Sequence, residues 1–252
     1  MAELTPTQAI ELYRLAQAQI AGEAASRAVV AFNALLDPAN LDGSFGSYLR
    51  VLALITDDAR QRMAATGGQF YLTHREAMQV LADAPPVLLA GALPPEQMTT
   101  VALVTGPVEV KRAIIRGEPI SVAMSKAAAT TAGAVFRLTA NAGRDTIDTM
   151  TARDRLALGW ARVTDGNPCS FCALLASRGP VYKSDQSATG RKGRYHGKCG
   201  CHPVAVYSKG DPWPGKAREF EALYESATEG ESGRDAINAF RRAYEAQQRA
   251  AA

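Results

Sequence analysis

Residues 160–207 read WARVTDGNPCSFCALLASRGPVYKSDQSATGRKGRYHGKCGCHPVAVY, and the architecture turns on them. The chain changes character at Trp160. Ala161-Arg162-Val163-Thr164 has the composition of a short strand, and Asp165-Gly166-Asn167-Pro168 that of a turn. Pro180-Val181-Tyr182 and Pro203-Val204-Ala205-Val206-Tyr207 read as two further strands, so the cysteines between them are expected on turns at the ends of a small antiparallel sheet.

All four cysteines of the protein fall within these residues, as Cys169-Ser-Phe-Cys172 and Cys199-Gly-Cys201, and His196 stands three positions before Cys199. Tetrahedral zinc takes four sulfur or nitrogen ligands, and a Cys-x-x-Cys turn presents two thiolates from one side with little strain. The five candidate ligands are therefore Cys169, Cys172, His196, Cys199 and Cys201, with His202 a weaker sixth. Alternate residues of an extended segment point to opposite faces, which favours Cys169, Cys172, His196 and Cys201 as the set. Two disulfides are the competing reading, disfavoured because Met1-Ala-Glu-Leu-Thr-Pro6 shows no secretory signal pattern. The acids nearest the cluster, Asp165 and Asp185, lie in no His-Glu-x-x-His context, so the expected zinc is structural and the protein is not expected to be an enzyme.

Upstream, Thr5-Pro6 supplies a cap and a first-turn proline for a long amphipathic helix, with Ile10, Tyr13, Ile20, Ala24, Ala28, Ala31 and Leu35 at helical spacing up to Asp37-Pro38. A linker with Gly43 and Gly46 precedes a second helix from Tyr48 to about Ala65, closed by Gly67-Gly68, and Thr73 caps a third. The stretch from Ser121 to about Gly159 reads as one or two helices interrupted near Asn141 to Gly143. Downstream, Asp211-Pro-Trp-Pro-Gly215 reads as a linker and Ser232-Gly-Arg-Asp235 as the opening of a last helix. The expected fold class is mainly α with a small antiparallel β zinc-binding unit (α+β). Its parts are a helical domain over 1–159, the Cys/His β unit over 160–208, and a linker with C-terminal helices over 209–252.

With 28 basic against 25 acidic residues, average charge points to neither a nucleic-acid nor a membrane partner, and no apolar run approaches the roughly 20 residues a spanning helix needs. The local distribution differs. Arg178, Lys183, Arg191, Lys192, Arg194 and Lys198 face only one acid, Asp185, over 178–198, a strip suited to sequence-independent phosphate contact with packaged DNA or to a solvated loop. Tyr182 and Tyr195 are its only aromatics, which disfavours a dedicated single-strand binder.

Over Asp165 to Val206 the sequence resembles the phage Mu protein F-like minor head proteins, in the version found in tailed phages of actinobacteria. The matching residues are Asp165-Gly-Asn-Pro-Cys169-Ser-Phe-Cys172, Gly179-Pro-Val-Tyr182 and His196-Gly-Lys-Cys199-Gly-Cys201-His-Pro-Val. Arg162-Val163 before the turn and Arg178-Gly179 after the helix fit as well. Tyr195 and Gly200 depart from it, where the family often has proline and arginine. The resemblance implies a structural minor capsid protein made in the bacterial host cytoplasm and carried in the virion, in the head interior or at the portal vertex. Portal protein and major capsid or scaffold protein are the implied partners. Some relatives are named as capsid maturation proteases, but serine-protease chemistry needs an oriented histidine base, and the histidine outside the cluster, His74, stands alone in a helical stretch. A zinc-dependent nucleic-acid-binding protein or nuclease using the same cluster and strip is the alternative from another class.

Overall fold

The computed structural model describes residues 4–181, 195 and 199–250. Helix α1 (Pro6–Leu35) opens on a capping box in which the Gln8 backbone N–H donates to the Thr5 hydroxyl and the Thr5 N–H donates to the Gln8 side chain. Its buried face repeats every three to four residues through Ala9, Tyr13, Gln17, Ala21, Ala24, Ala28 and Phe32. So many alanines let other helices come close.

Helix α2 (Leu41–Ala77) starts where Asn40 Oδ1 accepts the Gly43 N–H at 3.0 Å, and it runs without a break for 37 residues. The expected linker at Gly43 to Gly46, the stop at Gly67-Gly68 and the separate helix at Thr73 are therefore corrected to one element. Gly67 and Gly68 serve contact instead of termination. A Cβ on Gly67 would stand 2.7 Å from the Gly143 carbonyl oxygen, so the two backbones touch there. Gly143 lies in α5 (Ile120–Arg153), which is likewise unbroken through the expected interruption at Asn141 to Gly143.

Helices α1, α2 and α5 enclose the main core, with Phe32, Tyr48, Leu52, Met63, Ile147 and Met150 fully buried in it. Two short helices, α3 (Pro95–Thr105) and α4 (Pro107–Ile115), cover one flank of α5. The extended segment before α3 lies along α5 through an Ala90 N–H bond to Thr146 Oγ1 at 2.9 Å. A buried ion pair, Arg75 Nε to Asp154 Oδ2 at 2.8 Å, ties the end of α2 to the end of α5, and the Tyr71 hydroxyl donates to the same oxygen.

Strands β1 (Gly159–Val163) and β2 (His202–Val206) pair antiparallel, with Ala161 opposite Val204 and Val163 opposite His202. Every residue of both strands is buried. Pro180 and Val181 are not in a strand and Tyr182 lies outside the described residues, so the sheet has two strands among the described residues where three were expected.

Between the strands sits α6 (Ser170–Ala176), and after them α7 (Ala217–Ala227) and α8 (Gly233–Ala250). These three share a second core of Ala173, Leu174, Ala176, Phe220, Phe240 and Tyr244, closed by a Tyr244 hydroxyl bond to the Pro168 carbonyl at 2.7 Å. The segment read as a linker, Asp211 to Gly215, is itself packed: Gly179 leaves no room for a Cβ because the Trp213 ring fills that space, and the Arg218 guanidinium lies 3.8 Å above the same ring. No helix among the described residues is long and apolar enough to cross a membrane.

Candidate metal centre

The turn after β1 delivers Cys169 to the cap position of α6 and Cys172 to its first turn, so both thiols sit at one end of one helix. The other half comes from the residues that lead into β2. The sulfurs of Cys172, Cys199 and Cys201 lie within 4.8 Å of one another, and all three residues are buried. Cys172 Sγ and Cys199 Sγ are 3.6 Å apart. Two ligands on a tetrahedral zinc at about 2.3 Å each stand about 3.8 Å apart, so this pair already has the spacing of a tetrahedron's edge. Cys169, an exposed residue, reaches the Cys172 thiol with its own.

Sequence reasoning sent Cys199 and Cys201 to opposite faces. The structure turns both toward Cys172, because β2 begins only at His202 and the Cys-Gly-Cys segment is a loop. That loop folds around Asp165, whose Oδ2 accepts the Gly200 N–H at 2.9 Å and would stand 2.6 Å from a Cβ at position 200. Glycine at position 200 is thus what lets the carboxylate sit against the backbone. Backbone N–H groups are also aimed at sulfur, that of Asp165 at Cys201 and that of Cys201 at Cys199.

Helical side chains hold this loop from behind. Gln17 of α1 donates to the Gly200 carbonyl at 2.6 Å, and Arg144 of α5 donates from Nε to the Cys201 carbonyl at 2.8 Å and from Nη2 to the Cys199 carbonyl. The Tyr195 ring is buried and packed against two guanidinium groups, with Arg144 at 3.7 Å and Arg162 at 4.2 Å from its centroid. Tyr195 is therefore no open platform for a nucleic-acid base.

Without a cation the three thiols share protons. Hydrogen bonds from Cys172 and Cys201, helped by the Arg144 charge, pull the Cys199 thiol far below its ordinary range. Hydrogen bonds to Cys169, Cys199 and Cys201, with burial, push Cys172 far up. A thiolate already favoured at one sulfur is a starting point for metal capture, since zinc binds the deprotonated form.

The remaining candidates are placed differently. His196, with Lys183, Arg191, Lys192, Arg194 and Lys198 of the basic strip, lies outside the described residues; Arg178 is described and exposed. His202 is turned into the helical core, its ring edge-on to Tyr13 at 4.9 Å, and burial lowers its pKa to about 3. His74 is packed between Phe70 and Tyr207, and burial lowers its pKa to about 4. His74 lines a cavity of about 520 Å3 with Arg14, Val204 and Trp213, and none of the four cysteines reaches it. Sequence reasoning did not single out Gln17, Arg144 or the burial of Arg162 and Tyr195. The one legible hint was an arginine inside an otherwise apolar strand, Trp160-Ala-Arg-Val163.

The family model described as VG15 protein matches residues 4–227. No curated protein and no solved structure matches the chain.

Proposed function

The chain belongs to the VG15 protein family, a family of phage proteins, and from that premise we propose that it is a structural minor head protein of a tailed bacteriophage, stapled by one zinc ion. Its place is the head interior or the portal vertex, and its partners are portal protein and major capsid or scaffold protein. The head assignment is supported by family membership together with the Asp165 to Val206 motif. Zinc is supported by one observation, the convergence of buried Cys172, Cys199 and Cys201 from two segments 27 residues apart.

Those three cysteines would hold the ion, and Cys169, in contact with Cys172, would complete the set, with His196 as the rival for the fourth place. Bound there, zinc supplies a crosslink. A donor set closed by protein thiolates leaves no position for an activated water, which is the reason for reading the protein as non-enzymatic. Arg178 and the basic residues after it would touch packaged DNA through phosphates.

Mass spectrometry of purified virions, combined with native mass measurement of the isolated chain, tests both halves. The expected result is the chain in the particle and one zinc per polypeptide. Its absence from virions overturns the head assignment, and a reduced, metal-free chain unchanged by strong chelator overturns the zinc. In a cobalt-substituted sample the sulfur-to-metal charge-transfer band grows with each thiolate, so Cys169→Ser is expected to weaken it and His196→Ala to leave it unchanged.

A further inference from the structure

Arg162 is 1% exposed, and its Nε and Nη2 have no hydrogen-bond partner among the described residues. A guanidinium never sheds its proton in a protein, and burying its charge without a counter-ion is costly. No carboxylate lies within ion-pair distance of it among the described residues. Asp165, the acid on the neighbouring loop, gives Oδ2 to the Gly200 N–H and has a buried Oδ1 that forms no ion pair with Arg162, and Asp148 accepts from the Trp160 indole at 2.7 Å. What Arg162 packs against is the Tyr195 ring, which lies in one buried cluster with Cys172, Cys199 and Cys201.

A zinc ion with three or four thiolates carries net negative charge. We propose that Arg162 is the built-in counter-charge of this metal centre: an arginine with donors unpartnered among the described residues, packed on the Tyr195 ring, whose role is to neutralise the zinc–thiolate cluster and so raise its affinity for the ion. The inference rests on the zinc reading above. It assigns Arg162 as a positioning and charge-balancing residue that touches no metal itself. It also accounts for why an arginine occupies a wholly buried strand, where a residue serving packing alone would be apolar.

The two roles give opposite signs. In the metal-free chain Arg162 is buried with no carboxylate at ion-pair distance among the described residues and only the Cys199 thiolate to offset it, so Arg162→Met should leave thermal stability unchanged or raise it. In the zinc-loaded chain the same variant removes the compensation, and affinity measured by competition with a chromophoric chelator should fall about 10- to 100-fold, the usual cost of losing a group that supports metal ligands from outside. Arg162→Lys keeps the charge and should recover most of that affinity.

Equal destabilisation of metal-free and zinc-loaded protein by Arg162→Met overturns the proposal, because it marks a packing role. Failure of Arg162→Met to fold even without metal overturns it for the same reason, as does unchanged affinity in Arg162→Met or an affinity in Arg162→Lys no higher than in Arg162→Met. A wild-type chain that binds no zinc sinks the metal reading and this proposal together; tight binding by wild type with equal affinity in Arg162→Met sinks the proposal alone.

Discussion

At the scale of single residues, the molecule is decided by groups whose neighbours are far away in sequence. Gly67 is the clearest case. Its Cα faces the Gly143 backbone, and a methyl group would come within 2.7 Å of that carbonyl oxygen. Gly67→Ala raises local helix propensity but forces α2 and α5 apart. The expected outcome is a net loss of about 1–3 kcal/mol in chemical denaturation, the range for overpacking, where an exposed helical glycine would gain from the same change. His74 gives a pH signature. The unfolded imidazole takes up a proton near its ordinary value of 6.5, while burial in the fold keeps it neutral down to about 4. Between these values the unfolded state binds more protons, so stability falls as pH drops through that window and is flat in this respect above it. The contribution is roughly 3 kcal/mol across the window. Denaturation midpoints from pH 7 to 4 should show a shallower slope in His74→Gln than in wild type.

At the scale of elements, α6 carries the first cysteine pair. Seven residues are too few for a helix to persist alone, and α6 is held because Ala173, Leu174 and Ala176 pack under α7 and α8. The first cysteine pair is mounted on it, so the quality of the C-terminal core should control metal retention. Phe240 is fully buried there and stacks on Tyr244 with ring centroids 6.2 Å apart. Phe240→Ala is expected to cost about 3–5 kcal/mol in that core. It should also speed transfer of zinc to a competing chelator, although Phe240 touches no cysteine in the clusters described. An unchanged transfer rate would show that the two cysteine pairs hold the ion without help from α8.

At the scale of the whole molecule, two cores meet at the thiols. The larger is the α1, α2 and α5 assembly, which grips Cys199-Gly200-Cys201 through Gln17 and Arg144. The smaller is the α6 to α8 assembly, which carries Cys169 and Cys172. An ion bridging them would join one core to the other and leave the interior of each as it is. Chelation of the purified protein is therefore expected to lower the melting temperature and expose the region from α6 to α8 to proteolysis or amide exchange. The far-ultraviolet helix signal of the three long helices should persist. Loss of the entire helical signal on chelation would mean that the large core depends on the metal, contrary to its packing.

Some of this was open to the sequence alone. The start of α1 at Thr5-Pro6, the mainly helical character with a small antiparallel sheet, and the pairing of four cysteines into one neighbourhood all follow from local signals: a cap, a 3.6-residue period, a strand composition, a ligand spacing. These act over a few residues and carry their meaning wherever they occur. The glycines at 67, 68 and 143 misled because glycine has the same local signature whether it ends a helix or lets a neighbouring segment come close, and only the partner segment distinguishes the cases. The facing of Cys199 and Cys201, the burial of Arg162 and Tyr195, and the hold of Gln17 and Arg144 on the cysteine loop were likewise settled by contacts between residues 27 to 183 positions apart. A linear pattern holds no record of which surfaces meet, because that is chosen by the packing of whole elements.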